Sequence, residues 1–312
     1  MSFCSDIKNN LSHINLNNLY EKECEIYGYL HCISFLSLKG RGQFNLIFET
    51  ENPSVTRRIF TLIKDVFSIN LEIAAKKNNL RKGHYLYNLI VINSKDSMNI
   101  LDYFNIIDFS SGFEVNNTIK QDILPTLSEI RHYLRAVFLS CGYVSDPKKK
   151  GYQIEFVFNK FEYAKNFIEL LKTININLKF IKRKEAYVVY TKDSNTITEL
   201  LGNIGAHNAV LEIESTKVIK EMRNNVNRRL NCETANMDKT INTALKQINA
   251  INKIKEKYGM DYLDEPLISL AKMRLNNPQA SLNELSNMFD PPISRSTINN
   301  WFKKILKIAD TI

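Results

Sequence analysis

Near the C-terminus, the stretch SRSTINNWFKKILKIA holds the side chains best suited to contact another molecule. Ile298, Trp301, Phe302 and Ile305 recur at three- and four-residue spacing, which marks one apolar face of a helix beginning at Ser294. Arg295, Ser296, Thr297, Asn299, Asn300, Lys303 and Lys304 are left on the other side. An arginine fork matches the guanine edge, an asparagine amide pairs with adenine as donor and acceptor, and lysine ammonium groups meet phosphates. A helix that offers such residues from its N-terminal end suits readout of double-stranded DNA in the major groove. Base contacts are therefore expected from Arg295, Ser296, Thr297, Asn299 and Asn300, phosphate contacts from Lys303 and Lys304, and a core position for Trp301.

Two shorter helices must hold that one in place. DEPLISLAKMRLNNP reads as a helix capped by Asp264 and closed near Pro278. SLNELSNMF opens with the capping-box pattern Ser281-x-x-Glu284 and is expected to bury Leu282, Leu285 and Met288. After the break at DPP comes the last helix, so residues 264–309 have the order of a helix-turn-helix. Upstream, residues 215–230 read as a basic linker helix whose Arg223, Arg228 and Arg229 are further phosphate candidates. A second helix is expected from an N-cap at Thr234 to Gly259, with Met237, Ile241, Leu245, Ile248, Ile251 and Ile254 as its apolar stripe.

Charge follows the same division. The chain of 312 residues has a formal charge of +9, of which residues 217–312 carry +6 from 16 Lys+Arg against 10 Asp+Glu. An anionic partner is implied. The five cysteines, Cys4, Cys24, Cys32, Cys141 and Cys232, show neither C-x-x-C nor zinc-ligand spacing, so a reduced intracellular protein without metal or other cofactor is expected. No apolar run approaches the length of a membrane span, and a cytoplasmic, nucleoid-associated location is expected.

The first two thirds contain a repeat. FNLIFETENPSVTRRIFTLIKDVF (44–67) lies over YQIEFVFNKFEYAKNFIELLKTIN (152–175) at an offset of 108, and NLEIAAKK (70–77) over NLKFIKRK (177–184) at 107. KDSMNILDYFNII (95–107) then answers KDSNTITELLGNIG (192–205). Each copy begins with an apolar helix, IYGYLHCISF in one and LRAVFLSCGY in the other, so each reads helix, strand, strand, helix, strand, strand, helix. The expected fold is α+β: a pseudo-symmetric αββαββα tandem repeat (about 17–107 and 125–205) within a domain 1–214, the linker 215–230, and an all-α domain 231–312. Gly28, Cys32, Ala136 and Ser140 suit a close approach of the two leading helices. Basic strand ends and hairpins add possible sheet-face DNA contacts at Lys76, Lys77, Arg81, Lys82, Lys148, Lys149, Lys182 and Arg183. Alternation within NLKFIKRK is read with Leu178 and Phe180 on the apolar side and Lys179 and Lys182 on the other.

This doubled unit resembles the LAGLIDADG homing-endonuclease fold. In that fold, the resemblance implies, the leading helices pack at the pseudo-twofold axis and each ends in an acid that holds divalent metal for phosphodiester cleavage. Hard cations require oxygen ligands. Here the acid positions fall on Ile33 and Cys141; a hydrocarbon is no ligand and a thiol is a soft one. Glu25 and Asp146 lie nearby in sequence and are expected in surface or capping roles. The two halves together, with SFCSDIKNNL, LIFETENPSVTRRIF, GAHNAVLEIES, EMRNNVNRRLNCETANMDKT and NPQASLNELSNMFDPPISRSTIN, resemble the WhiA sporulation-regulator family. Asn300 and Trp301 replace the polar or basic residues expected of that family in mid-helix. The resemblance implies a non-catalytic DNA-binding transcription regulator linked to bacterial cell division, chromosome segregation or sporulation, with another transcription factor or RNA polymerase as a candidate protein partner. Two competing readings stay open: a metal-dependent nuclease with relocated carboxylates, and a non-specific nucleoid or RNA-binding protein.

Overall fold

The computed structural model describes residues 2–77, 85–108, 114–116, 118–119 and 121–312, and the chain forms two compact units, Met1–Val218 and Ile219–Ile312.

In the first unit, α1 (Phe3–Ser12), capped by Ser2, precedes the repeats and buries Cys4, Ile7 and Leu11. The first repeat runs α2 (Leu19–Ile33), β1 (Ser34–Gly40), β2 (Gln43–Thr50), α3 (Pro53–Phe67), β3 (Leu71–Lys77), β4 (Tyr85–Val91) and α4 (Ser94–Tyr103). A short ladder, β5 (Ile107–Asp108) with β6 (Glu114–Val115), lies in the connection. The second repeat runs α5 (Leu127–Cys141), β7 (Gly142–Val144), β8 (Ile154–Phe158), α6 (Phe161–Thr173), β9 (Lys179–Arg183), β10 (Ala186–Thr191) and α7 (Ser194–Asn203). The two antiparallel sheets have the same order, β1-β2-β4-β3 and β7-β8-β10-β9. Both copies also close their helices alike. Ser68 and Asn175 adopt left-handed conformations after α3 and α6, and Asn105 and Gly205 do so after α4 and α7.

One hydrophobic core serves both repeats. Phe44, Leu46 and Phe48 of β2 and Phe156 and Phe158 of β8 face inward with Ile59, Leu62 and Ile63 of α3 and Phe167 and Leu171 of α6. The leading helices α2 and α5 meet along the seam. A Cβ added at Gly28 would stand 2.7 Å from Ala136 Cβ and 2.8 Å from the Tyr133 carbonyl oxygen, so only glycine lets the backbones approach this closely.

α8 (His207–Tyr258) is a single helix of 52 residues, so the expected break and N-cap at Thr234 do not occur. A cap residue ends a helix only where the chain leaves helical dihedrals, and no glycine or proline lies between His207 and Tyr258 to make it do so. The expected stripe on its C-terminal half is also corrected. Ala244, Gln247, Ala250, Ile251 and Ile254 are buried, while Met237, Ile241 and Leu245 are exposed. In the second unit, Ala250, Ile251 and Ile254 pack with α9 (Glu265–Asn276), α10 (Leu282–Asn287) and α11 (Arg295–Thr311).

Candidate nucleic-acid interface

The helix-turn-helix unit is assembled by its caps and a small core. Asp264 stands at the N-cap of α9 with Pro266 in the first turn. Ser281 and Glu284 close a reciprocal capping box on α10, and the Ser294 hydroxyl accepts from the Thr297 backbone N–H to start α11. Leu267, Leu270 and Ala271 of α9, Leu285 of α10 and Ile298, Phe302, Ile305 and Ala309 of α11 share one core. Trp301 is half-buried, edge-on to Phe289 at 5.8 Å between ring centroids. Met288, expected inside, is the C-cap of α10 and is exposed.

A residue that the apolar pattern did not single out locks the turn between α9 and α10. Arg274 is buried, donates to the carbonyl oxygens of Ala280 at 2.6 Å and Asn277 at 3.4 Å, and stacks over the Phe302 ring at 5.3 Å. No carboxylate accompanies it among the described residues, and burial pulls its guanidinium below the usual arginine range. Its signal was spacing: it continues the Leu267, Leu270, Ala271 stripe by one step.

The outer side of α11 carries the residues proposed for base readout. Arg295, Ser296, Asn299, Asn300, Lys303 and Lys304 are all exposed, and Thr297 is half-buried. The Ser294 hydroxyl lies 2.6 Å from the Ser296 hydroxyl and 2.8 Å from that of Thr297, so both already have a partner in the cap. Lys307, also exposed, extends the line Ser296, Asn300, Lys303 by one turn; sequence reading passed over it although the four-residue step from Lys303 pointed there. On α8, Arg223, Arg228 and Arg229 are exposed, and Arg229 pairs with Glu233 at 3.0 Å.

The sheet-face candidates of the first unit are placed differently. Register puts Lys76 and Glu49 on the face turned away from the core, 3.6 Å apart. Arg183 meets Glu155 at 3.3 Å on the corresponding face of the second sheet, and Lys148 in the β7–β8 connection meets Glu212 at 2.8 Å. Lys77 stands beside Tyr85 on the core side of its sheet, and Lys149 is exposed in the β7–β8 turn. Lys182 shares the side of Phe180, with its ammonium 5.7 Å from the Tyr187 ring centroid. Grouping Lys182 with Lys179 broke the two-residue period of a strand; the outward row is Lys179, Ile181 and Arg183. Arg81 and Lys82 lie outside the described residues.

At the seam, α2 ends at Ile33 and α5 at Cys141, and the Cys141 and Cys32 sulfurs lie 3.8 Å apart. Burial pushes the Cys32 thiol well above its ordinary range. An alkyl group and a soft thiol sulfur do not fit a hard divalent cation, and neither helix end supplies the side-chain oxygen that metal-assisted cleavage needs. Glu25 is neither surface nor cap. It is fully buried, accepting from Arg58 Nε at 2.6 Å and Nη2 at 2.7 Å and from Arg135 Nη1 at 2.9 Å. The same arginines hold the Ser12, Ile14 and Ile204 carbonyl oxygens, tying α2, α3 and α5 to the segments before α2 and before α8. Asp146 caps its turn by accepting from the Lys148 N–H at 2.9 Å. His31, buried among Tyr27, Tyr133 and Tyr163, is pushed down to about 3 by burial and by the nearby Lys160.

These features define a class: a pseudo-twofold LAGLIDADG-like domain with altered helix ends, in one chain with a helix-turn-helix unit. Family models match at residues 20–107 (WhiA N-terminal LAGLIDADG-like domain), 130–223 (WhiA LAGLIDADG-like domain) and 226–309 (WhiA C-terminal HTH domain). Probable cell division protein WhiA of Thermoanaerobacter sp. (strain X514) is 41% identical over 99% of this chain and 97% of its own length. Its namesake in Clostridium novyi (strain NT) is 37% identical over 100% and 98%. Full-length DUF199/WhiA from Thermatoga maritima has a similar structure, with TM-score 0.61 and 25% identity over 100% of this chain and 99% of that one. The chain belongs to the WhiA family. Among the described residues, no helix is long and apolar enough to cross a membrane.

Proposed function

We propose that this chain is a non-catalytic, DNA-binding transcription regulator acting in bacterial cell division, with α11 as its base-reading element. The observation that carries this reading is the two-sidedness of α11. Ile298, Phe302 and Ile305 are buried, while Arg295, Asn299, Asn300, Lys303, Lys304 and Lys307 are exposed along the opposite side. That is the division of labour of a recognition helix. Arg228 adds phosphate-binding charge on α8. The non-catalytic half of the proposal rests on Ile33 and Cys141, which offer no oxygen at the two helix ends. Within the first unit the paired cations favour an accessory role, as a footprint extension or as a surface for another transcription factor or RNA polymerase.

The test is retention of genomic DNA fragments by the full chain against excess random DNA and excess RNA, repeated with Asn299→Ala. Selective retention that the substitution weakens is the expected result. Affinity without selection identifies a non-specific nucleoid or RNA binder instead. In a parallel incubation with Mg²⁺ or Mn²⁺ a plasmid stays intact; cutting that follows the protein through purification contradicts the non-catalytic assignment.

A further inference from the structure

The middle of α8 carries an apolar face that nothing in the second unit covers. Every residue from 221 to 243 is exposed, among them Met222 at 64%, Leu230 at 54% and Met237 at 65%. The large side chains repeat every 11 residues: Ile219, Leu230 and Ile241 form one row, with Val226 and Met237 in the row beside it. An 11-residue period is about 3.67 residues per turn, close to that of a straight α-helix, so these rows stay on one side for about six turns. A contiguous apolar stripe of this length on a charged helix marks a protein-binding surface.

Charge at the edges of the stripe selects the occupant. We propose that a second copy of this chain docks here, its α8 antiparallel to the first, with the twofold axis beside Leu230. Residues 220–229 carry Lys220, Arg223, Arg228 and Arg229 against Glu221 alone, whereas residues 231–241 carry Glu233 and Asp238 against Lys239. On the helical net Arg223 and Asp238 border the same edge, while Arg229 and Glu233 border the other. In an antiparallel pair like edges meet, so Arg223 faces the second copy's Asp238 and Arg229 faces its Glu233, each contact occurring twice. Ile219 then packs against Ile241, and Leu230 against its own counterpart. In a parallel pair opposite edges meet with a five-residue stagger, which sets Glu233 against Asp238, acid on acid. Like charges brought together at an interface select against that arrangement. Glu233 already pairs with Arg229 of its own helix at 3.0 Å, so the choice of mode rests on Arg223 and Asp238, which meet only in the antiparallel pair.

The full chain is tested by sedimentation equilibrium over a range of concentrations. The mass doubles with concentration for the unaltered chain and stays monomeric for Leu230→Glu. Arg223→Asp weakens association by about tenfold or more, and adding Asp238→Arg restores it, as expected for an exchanged charge pair. Register is read by cross-linking in a Cys232→Ser background. Leu230→Cys oxidises to a linked dimer, whereas Ile219→Cys links to Ile241→Cys and to neither itself nor Leu230→Cys. All substituted positions are exposed, and unchanged helical circular dichroism verifies that the variants fold. A chain that stays monomeric at every concentration overturns the proposal, as does Ile219→Cys linking to itself or a double charge exchange that fails to restore association.

Discussion

The outward sheet faces of the first unit and the outer side of α11 are both rich in basic residues, yet they are built oppositely. On the sheets, Lys76 has Glu49 and Arg183 has Glu155, and in the adjoining connection Lys148 has Glu212. On α11, Arg295, Lys303, Lys304 and Lys307 are exposed and none of them has an ion-pair partner among the described residues; Asp310 is the helix's one acid. Exposed ion pairs contribute little to stability, but they cancel the field that a phosphate would feel. The number of lysines on a surface is therefore a poor guide to nucleic-acid binding. Where the acids stand decides it, and strand register settles that as much as composition does.

The contrast continues indoors, and there it can be broken hardest. Glu25→Ala leaves Arg58 and Arg135 buried without their carboxylate and should cost the first unit about 3–5 kcal/mol, read as an earlier denaturation midpoint. If that midpoint stays unchanged, the buried cluster is not what joins the repeats. In the second unit Arg274 has carbonyl oxygens and the Phe302 ring, and no carboxylate, as partners among the described residues; Arg274→Met frees those oxygens inside and should cost about 1–3 kcal/mol in the unfolding of that unit. Asn299→Ala on α11 should remove about 1–3 kcal/mol of preference for the selected DNA while leaving binding to random DNA within about twofold. At the other extreme, Lys76→Ala should change both folding and DNA affinity by less than about 0.5 kcal/mol, since its charge is already matched by Glu49. A larger loss in DNA affinity would return the sheet face to the list of readers.

Much of this was legible in the chain. The offset of 108 aligned α2 with α5 and α3 with α6, because apolar spacing fixes which side of a helix faces the core. Ser281 and Ser294 marked the starts of α10 and α11 through side-chain caps, and Asp264 with Pro266 marked that of α9 by position, without a side-chain cap bond. The misses come from contacts distant in sequence. Glu25 lies in a helix between apolar residues, and only the approach of Arg58 and Arg135, 33 and 110 residues away, makes its burial tolerable. Thr234 has the chemistry of a cap, but nothing on either side forces the helix to end. Met237, Ile241 and Leu245 carry a core pattern without a core in their own unit. Lys182 and Lys77 were errors that two-residue alternation alone would have corrected.

The central claim, that α11 rather than the sheet carries the DNA contacts, is tested most directly by the salt dependence of binding by the full chain. Lys303, Lys304 and Lys307 are changed together to alanine in one protein, and Lys76, Lys148 and Arg183 in another. Each lost phosphate contact flattens the slope of log affinity against log salt by about 0.9. The α11 triple variant should lose between about two and three units of slope, and the sheet triple variant almost none. A flattened slope in the sheet variant with an unchanged one in the α11 variant would contradict the account.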